Sequence, residues 1–158
     1  MYLTIHAAAG ALIGTYVENS LISFIVGFMS HFFLDMLPHK DGELPTKTHS
    51  AKALRKLYFS KIVGLIYFDI SMAIIVAGAL FTNNIQFLTK PIIWGMIGAI
   101  LPDVFQALSF FFAKNKILRK FNEFHNFIHY SPQQPISFIN GHLTQLATLI
   151  ILIRPLLI

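Results

Sequence analysis

Long apolar stretches separated by short polar ones dominate the chain. Five apolar segments cover about residues 2–17, 20–37, 58–81, 91–113 and 136–158. These lengths are compatible with the roughly 17 to 25 residues that a membrane-spanning helix needs. Pro38 follows the second segment and Pro91 opens the fourth, as expected at helix ends. The pattern therefore predicts an all-α fold, a polytopic membrane helix bundle of about five transmembrane helices.

Residues 114–130 carry a different pattern, in which Lys, Arg and Glu are mixed with apolar residues. The apolar positions recur near helical spacing, at Ile117, Leu118, Phe121, Phe124 and Ile128. Such a helix buries its apolar face at the headgroup boundary and keeps its charges in water. We predict an interfacial amphipathic helix here, on the inner membrane surface.

The first apolar segment contains the GxxxG spacing of Gly10 and Gly14. Small residues at this spacing allow two helix backbones to approach closely. Helix packing within one chain and dimerisation both use the pattern, and we favour packing because short glycine patterns recur in membrane helices. The sequence leaves the oligomeric state open.

Composition and charge placement support the membrane interpretation. Hydrophobic residues make up 55% of the chain and charged residues 12%, against roughly 25% charged in soluble domains. Two basic clusters, at 40–61 and 114–120, hold every Lys and Arg except Lys90 and Arg154. Under the positive-inside rule both clusters and the amino terminus face the cytoplasm. With no linker or repeat, residues 1–158 form one integral-membrane domain, expected in a prokaryotic cytoplasmic membrane.

The residues that interrupt the apolar segments are the strongest functional signal. They are almost exclusively His and Asp: His6, His31, Asp35, Asp69, Asp103 and His142. A charged Asp at the bilayer centre costs roughly 2.5 to 3.5 kcal/mol, so such groups pair, bind ions or do chemistry. Imidazole and carboxylate suit zinc and hydrolytic metal sites. Because the chain has no cysteine, any metal must rest on nitrogen and oxygen ligands.

His31 and Asp35 stand four residues apart, so they project from one helix face. One metal ion could bind both side chains. His39 adds another imidazole where this helix ends, at the inner interface. For the pair alone, a hydrogen bond within the helix is an equally good interpretation.

His125 and His129 form a second pair at this spacing. Two imidazoles one helical turn apart are a common zinc-binding arrangement. Asn126 follows His125 where the HExxH metalloproteases have Glu, so a protease of that type is disfavoured. Two interfacial histidines on a basic helix are the alternative interpretation.

Pro102 and Asp103 form the third pattern, because proline disrupts helical hydrogen bonding just before a carboxylate. That arrangement could turn Asp103 into a polar cavity, although a simple structural kink is about as good an interpretation. Asp69 has no basic residue within a helical turn. Its partner is expected to be a metal or a buried His, or else Asp69 is protonated.

The predicted topology brings these groups toward the inner face of the membrane. The histidines lie near inner helix ends or the inner interface: His6, His31, His39, His125, His129 and His142. Asp69 and Asp103 lie deeper and could line the bottom of the same cavity. One shared site explains this convergence better than independent structural roles.

The chain also resembles a family of small bacterial and archaeal membrane-bound metal-dependent hydrolases. The resemblance rests on Gly-Phe-Met-Ser-His-Phe-Phe-Leu-Asp-Met-Leu-Pro-His at 27–39, His6, Leu-Pro-Asp at 101–103 and the His-x3-His of 125–129. The core of the first motif is similar in style to helical zinc-dependent phospholipase C and P1-type nuclease proteins. Asn126 departs from members that carry a basic residue there, which leaves phosphate binding at that position open.

These observations predict a metal-dependent hydrolase that cleaves a phosphoester or related bond in a lipid-linked or membrane-proximal substrate. The expected ligands of one or more divalent ions are His6, His31, Asp35, Asp103, His125 and His129. Zinc is the expected metal, with manganese and iron as alternatives. Asp69 could bridge two ions or act as general base, and His39 or His142 could assist proton transfer.

Two other classes use the same residues. A divalent-metal or proton transporter needs a polar path to the outer face, and the polar set fades in that direction. A noncatalytic membrane scaffold would use the His and Asp pairs only to pack helices. Nucleic acid is not an expected partner, since few aromatic residues lie among the basic clusters.

Overall fold

The computed structural model describes residues 1–39, 63–64, 67, 69, 71–72, 89–112, 114–129 and 137–156. Within these ranges lie five continuous helices and no strand: α1 (Leu3–Tyr16), α2 (Ser20–Asp35), α3 (Lys90–Phe111), α4 (Lys116–Ile128) and α5 (Phe138–Ile153). A short 3-10 turn, Arg154–Leu156, follows α5. The all-α prediction is confirmed.

Side-chain caps lie at the amino-terminal ends of three helices, α2, α4 and α5. Asn19 accepts hydrogen bonds from the first free amides of α2, Asn115 does the same for α4, and the Ser137 hydroxyl accepts one at α5. Each cap satisfies backbone donors that have no partner within the helix. The observed helices therefore coincide closely with four of the predicted segments and with the predicted amphipathic helix.

Most of the third predicted segment, 58–81, lies outside the described residues, as does the basic cluster at 40–61. Six residues of that segment are described and are helical: Val63, Gly64, Tyr67, Asp69, Ser71 and Met72.

Glycines bring α1 and α2 into close contact with α3. A Cβ added to Gly10 or to Gly27 would overlap the backbone of Gly95, and one added to Gly98 would overlap that of Phe24. We call Gly10, Gly27 and Gly95 the glycine crossing. Gly14 meets the backbone of α3 in the same way. The packing role predicted for the GxxxG spacing is thus confirmed, and dimerisation stays open.

The two remaining helices pack on the outside of this three-helix unit. Phe121 of α4 meets Phe105 of α3 with ring centroids 5.3 Å apart, and Phe124 meets Phe32 of α2 at 5.5 Å. α5 packs against α1 through a small apolar core formed by Met1, Ile5, Ala8 and Leu149. The carboxyl-terminal end of α2, α4 and the start of α1 consequently lie near one another.

Among the described helices, α3 is long and apolar enough to cross a membrane, over the 20 residues Lys90–Ser109. α1 and α2 are shorter apolar helices of 14 and 16 residues. The bundle of about five transmembrane helices stays a prediction.

Candidate metal centre

Histidine and aspartate side chains from α2 and α4 meet at one end of the bundle. His31 and Asp35 project from the last turns of α2, and His39 lies four residues past its end. α4 brings His125 in its last turn and His129 at its C-cap. The equal spacing places His31 opposite His125 and His39 opposite His129, with Nε2–Nε2 distances of 2.9 and 3.2 Å. Asp35 reaches both pairs.

A backbone carbonyl determines the tautomer of His31. Its Nδ1 lies 2.9 Å from the carbonyl oxygen of Ala99, and a carbonyl can only accept, so Nδ1 carries the proton. Pro102 lies within α3 close to Ala99, where its missing N–H and its ring disturb the preceding helical turn. In the neutral His31 ring, Nε2 therefore has no proton and presents a lone pair. Metal-binding histidines typically use this arrangement, with the second ring nitrogen donating to a carbonyl or carboxylate.

Three polar atoms form a triangle that fits a divalent cation. Nε2 of His31 and Nε2 of His125 lie 3.2 and 3.3 Å from Oδ2 of Asp35, and 2.9 Å from each other. Ligands about 2.1 Å from a zinc ion are about 3.0 Å apart at right angles and about 3.4 Å apart in a tetrahedron. One proton can join only two of the three atoms, whereas a cation between them joins all three.

Asp103 and His6 lie beside this triangle. Oδ1 of Asp103 lies 3.8 Å from Nε2 of His31 and 3.9 Å from Nε2 of His125. Nε2 of His6 lies 3.2 Å from Oδ1 of Asp35, and its ring stacks on that of His31 with centroids 4.0 Å apart. Within the described part of the chain, both ring nitrogens of His6 and Oδ2 of Asp35 are buried without a hydrogen-bond partner. Buried polar atoms left in this way are costly, and a cation would satisfy those that face the triangle.

Asp35 has the densest polar surroundings in the described structure. Its Oδ1 accepts a hydrogen bond from the amino group of Met1 at 2.9 Å and lies 3.9 Å from Nε2 of His39. Its Oδ2 lies 4.0 Å from Nε2 of His129. A buried carboxylate is stable only among donors or cations, which explains why so many converge on this one.

The cluster is closed on one side and open on the other. Its deepest members are at most 2% exposed: His6, His31, Asp35 and His125. The side chains of Asp103 and His129 are 21% and 23% exposed. Solvent or a substrate would therefore approach past these two residues. We call the whole set the His/Asp cluster: His6, His31, Asp35, His39, Asp103, His125 and His129.

Gln106 is a contact of the cluster that sequence reasoning missed. Its Nε2 lies 3.3 Å from Nδ1 of His125 and donates to Oδ1 of Asn126 at 3.2 Å. Gln106 thereby orients the His125 ring from the side away from Asp35. Its position three residues after Asp103, on the same face of an apolar helix, is the signal that could have identified it.

Two residues with predicted catalytic roles have partners at the start of α1. The Asp69 carboxylate accepts hydrogen bonds from the amides of Leu3 and Thr4 and from the Thr4 hydroxyl. These are partners that our three alternatives for Asp69 did not include. His142 Nε2 lies 2.8 Å from the Tyr2 hydroxyl. The catalytic roles of Asp69 and His142 stay predictions.

The structure brings the six expected metal ligands and His39 together at one site. The arrangement can hold a divalent metal on nitrogen and oxygen ligands. Comparison with known protein families, with curated proteins and with solved structures finds no match to this chain.

Proposed function

We propose that this protein is a membrane-bound metal-dependent hydrolase that cleaves a phosphoester, or a related bond, in a lipid or membrane-proximal substrate. The observation that carries the proposal is the triangle of His31, His125 and Asp35, open to the outside beside Asp103. Structural zinc sites are closed by four protein ligands, whereas catalytic sites keep an accessible position.

A divalent metal in this cluster would lower the pKa of a bound water toward about 7 and polarise a phosphoryl oxygen. His31, Asp35, Asp103 and His125 would hold it, with His6 as a further ligand. Zinc is the proposed metal because imidazole nitrogen dominates the site, and manganese and iron are the alternatives. The Ala99 carbonyl would orient the imidazole of His31 by accepting from its Nδ1, and the Gln106 side chain contacts Nδ1 of His125.

The distribution of polar and apolar side chains supports a membrane location. His31, Asp35, Ser23 and Gln145 are buried. Large apolar side chains instead face outward from three helices, including Leu21, Phe33, Trp94, Ile97, Ile139 and Ile151. Exposed apolar surface of this extent marks contact with a membrane or a partner. We propose a bundle of about five spans whose amino terminus and basic segments face the cytoplasm.

The side chains of α4 favour a substrate at the membrane surface. This helix carries site residues together with exposed apolar and basic side chains of the kind that contact lipids. It carries His125, while Ile117 and Phe127 are 79% and 87% exposed. Lys116, Arg119 and Lys120 are exposed on the same helix. Each Lys or Arg near an anionic surface contributes roughly 1 kcal/mol of attraction. A phosphorylated lipid held there would lie next to the open side of the cluster.

Hydrolysis by the purified protein in nanodiscs tests the proposal. The substrates are phosphatidic acid, a phosphomonoester, and phosphatidylglycerol, a phosphodiester, each with added zinc or manganese. We expect turnover of at least one lipid and its loss on chelation. Asp35→Asn should lower the rate at least about 100-fold, since even indirect partners of metal ligands change activity 10- to 100-fold.

Glu123→Gln is the matched control, because it makes the same carboxylate-to-amide change at a side chain that is 67% exposed on α4. It should retain the wild-type rate. A metal-loaded protein that hydrolyses neither lipid would contradict the hydrolase proposal. Metal uptake into proteoliposomes would then favour a transporter, and an inert protein that binds no metal would favour a scaffold.

A further inference from the structure

We propose that the His/Asp cluster holds a second divalent cation, bound by His39 and His129 and bridged to the first by Asp35. This inference rests on the metal-binding part of the proposed function. It gives His39 the role of a metal ligand, in place of the proton transfer expected from the sequence.

The spacing of the cluster residues along the chain is the first reason to infer a second cation. His31, Asp35 and His39 follow one another at intervals of four residues, and His125 and His129 repeat that interval on α4. The two elements therefore present two equivalent imidazole pairs, with Asp35 near both. The ligand atoms of Asp35, His39 and His129 all lie within 4.8 Å of one another.

The tautomer of His39 is the second reason to infer this cation. Its Nδ1 lies 2.7 Å from the carbonyl oxygen of Leu37, so this nitrogen carries the proton. Nε2 of neutral His39 is consequently a lone pair that faces Nε2 of His129 at 3.2 Å. The same carbonyl-to-imidazole arrangement orients His31 through Ala99. One imidazole of each pair, His31 and His39, thus has the orientation that is typical of metal-binding histidines.

The position of the Asp35 carboxylate between the two imidazole pairs is the third reason to infer this cation. Oδ2 is the oxygen nearest to His31 and His125, while Oδ1 is the oxygen that approaches His39, at 3.9 Å. Oδ2 also lies 4.0 Å from Nε2 of His129, so the carboxylate as a whole reaches both imidazole pairs. Sites with two metals hold them about 3.5–4 Å apart, and an anionic bridge offsets their repulsion.

The two sites differ in the ligands available to them. The first has four protein ligands in reach, namely His31, Asp35, Asp103 and His125, while the second has three, namely Asp35, His39 and His129. His129 is also the more exposed imidazole of its pair. The second cation would therefore keep the position most accessible to a substrate oxygen.

Metal content and magnetic coupling test the two-ion site without any assay of activity. The full chain is purified in mild detergent, loaded with zinc and freed of excess metal, and its zinc content is measured by plasma mass spectrometry. We expect about two ions per chain. His39→Ala and His129→Ala should each lower this to about one, while Phe127→Ala, a change at an exposed side chain of the same helix, should leave it at about two.

Electron paramagnetic resonance of the manganese-loaded protein tests the bridge itself. The wild-type protein should give a spin-coupled spectrum, and both histidine variants should give that of an isolated ion. Two ions without coupling would overturn the role of Asp35 as a bridge. One ion in the wild type would overturn the second site and leave the proposed function standing, whereas no ion would overturn both. If His39→Ala does not fold, His129→Ala decides the same question from the other helix.

Discussion

The glycine crossing and the His/Asp cluster share helices but pack them in opposite ways. At the crossing, Gly10, Gly27 and Gly95 exclude side chains so that backbones touch. At the cluster, long polar side chains converge on the buried Asp35 and leave its Oδ2 without a hydrogen bond from any described residue. The first region is completed by backbone contacts, whereas the side chains of the second region could hold a cation.

The glycine crossing also positions part of the His/Asp cluster. Gly27 lies four residues before His31 on α2, and Gly95 lies four residues before Ala99 on α3. Close approach of the two backbones at the glycines allows His31 to reach the Ala99 carbonyl one turn further along. The interhelical contact with the smallest residues therefore determines where the His31 imidazole lies.

Asp35→Asn should produce the largest difference between the two regions. At a zinc concentration 100-fold above its dissociation constant, metal binding should stabilise the wild-type protein by about 2.7 kcal/mol. The substitution removes the charge that faces His31 and His125, so zinc should no longer raise the Tm. Thermal unfolding in detergent with and without zinc measures this effect.

The exposed-site control, Glu123→Gln, should keep the full zinc-dependent increase in Tm. An equal zinc-dependent shift in Asp35→Asn and in the wild type would show that the metal binds elsewhere.

Gly10→Ala should lower the stability of the metal-free protein and leave its response to zinc unchanged, the reverse of Asp35→Asn. The new Cβ would overlap the Gly95 backbone, and overpacking of this kind costs about 1–3 kcal/mol. The Tm without zinc should fall, while the zinc-dependent increase should persist. Gly64→Ala is the matched control because no atom of the described residues lies within 4 Å of its Cβ position, and it should raise stability by up to about 1 kcal/mol. Equal losses in both variants would argue against close packing at Gly10.

Gln106→Leu should have the smallest effect and should be confined to the cluster. Without this side chain, His125 loses its contact on the Nδ1 side. Zinc at Nε2 leaves the proton of His125 on Nδ1, where the Gln106 side-chain oxygen would accept it after rotation of the amide. Zinc affinity should therefore fall about tenfold without Gln106, at the lower end of the range for such partners. Isothermal titration calorimetry measures the change. An unchanged affinity together with a lower Tm in the metal-free protein would make Gln106 a packing residue.

Local patterns were sufficient to predict the described helices and the His and Asp pairs on them. Apolar run lengths and the prolines at positions 38 and 91 predicted where the helices lie, because these signals act over a few residues. Intervals of four placed His31 with Asp35 and His125 with His129 on shared helix faces. The predicted topology brought five histidines together as observed, but it also placed His142 among them, whereas the His142 ring lies against Tyr2.

The remaining features depend on contacts between distant segments. Asp69 bonds to the start of α1, more than sixty positions away along the chain, and no pattern near Asp69 indicates that partner. The pairing of His39 with His129 depends equally on how α4 packs against α2. Tertiary packing determines such partners, so one sequence could not predict them.

X-ray absorption spectroscopy of the zinc-loaded protein tests most directly whether the His/Asp cluster is a metal centre. We expect nitrogen and oxygen ligands about 2.0–2.1 Å from zinc, with scattering from imidazole rings. His31→Ala should weaken the imidazole signal, and Asp35→Asn should abolish stoichiometric binding. A folded wild-type protein that takes up no zinc, manganese or iron, or that binds zinc without imidazole ligands, would contradict the metal centre.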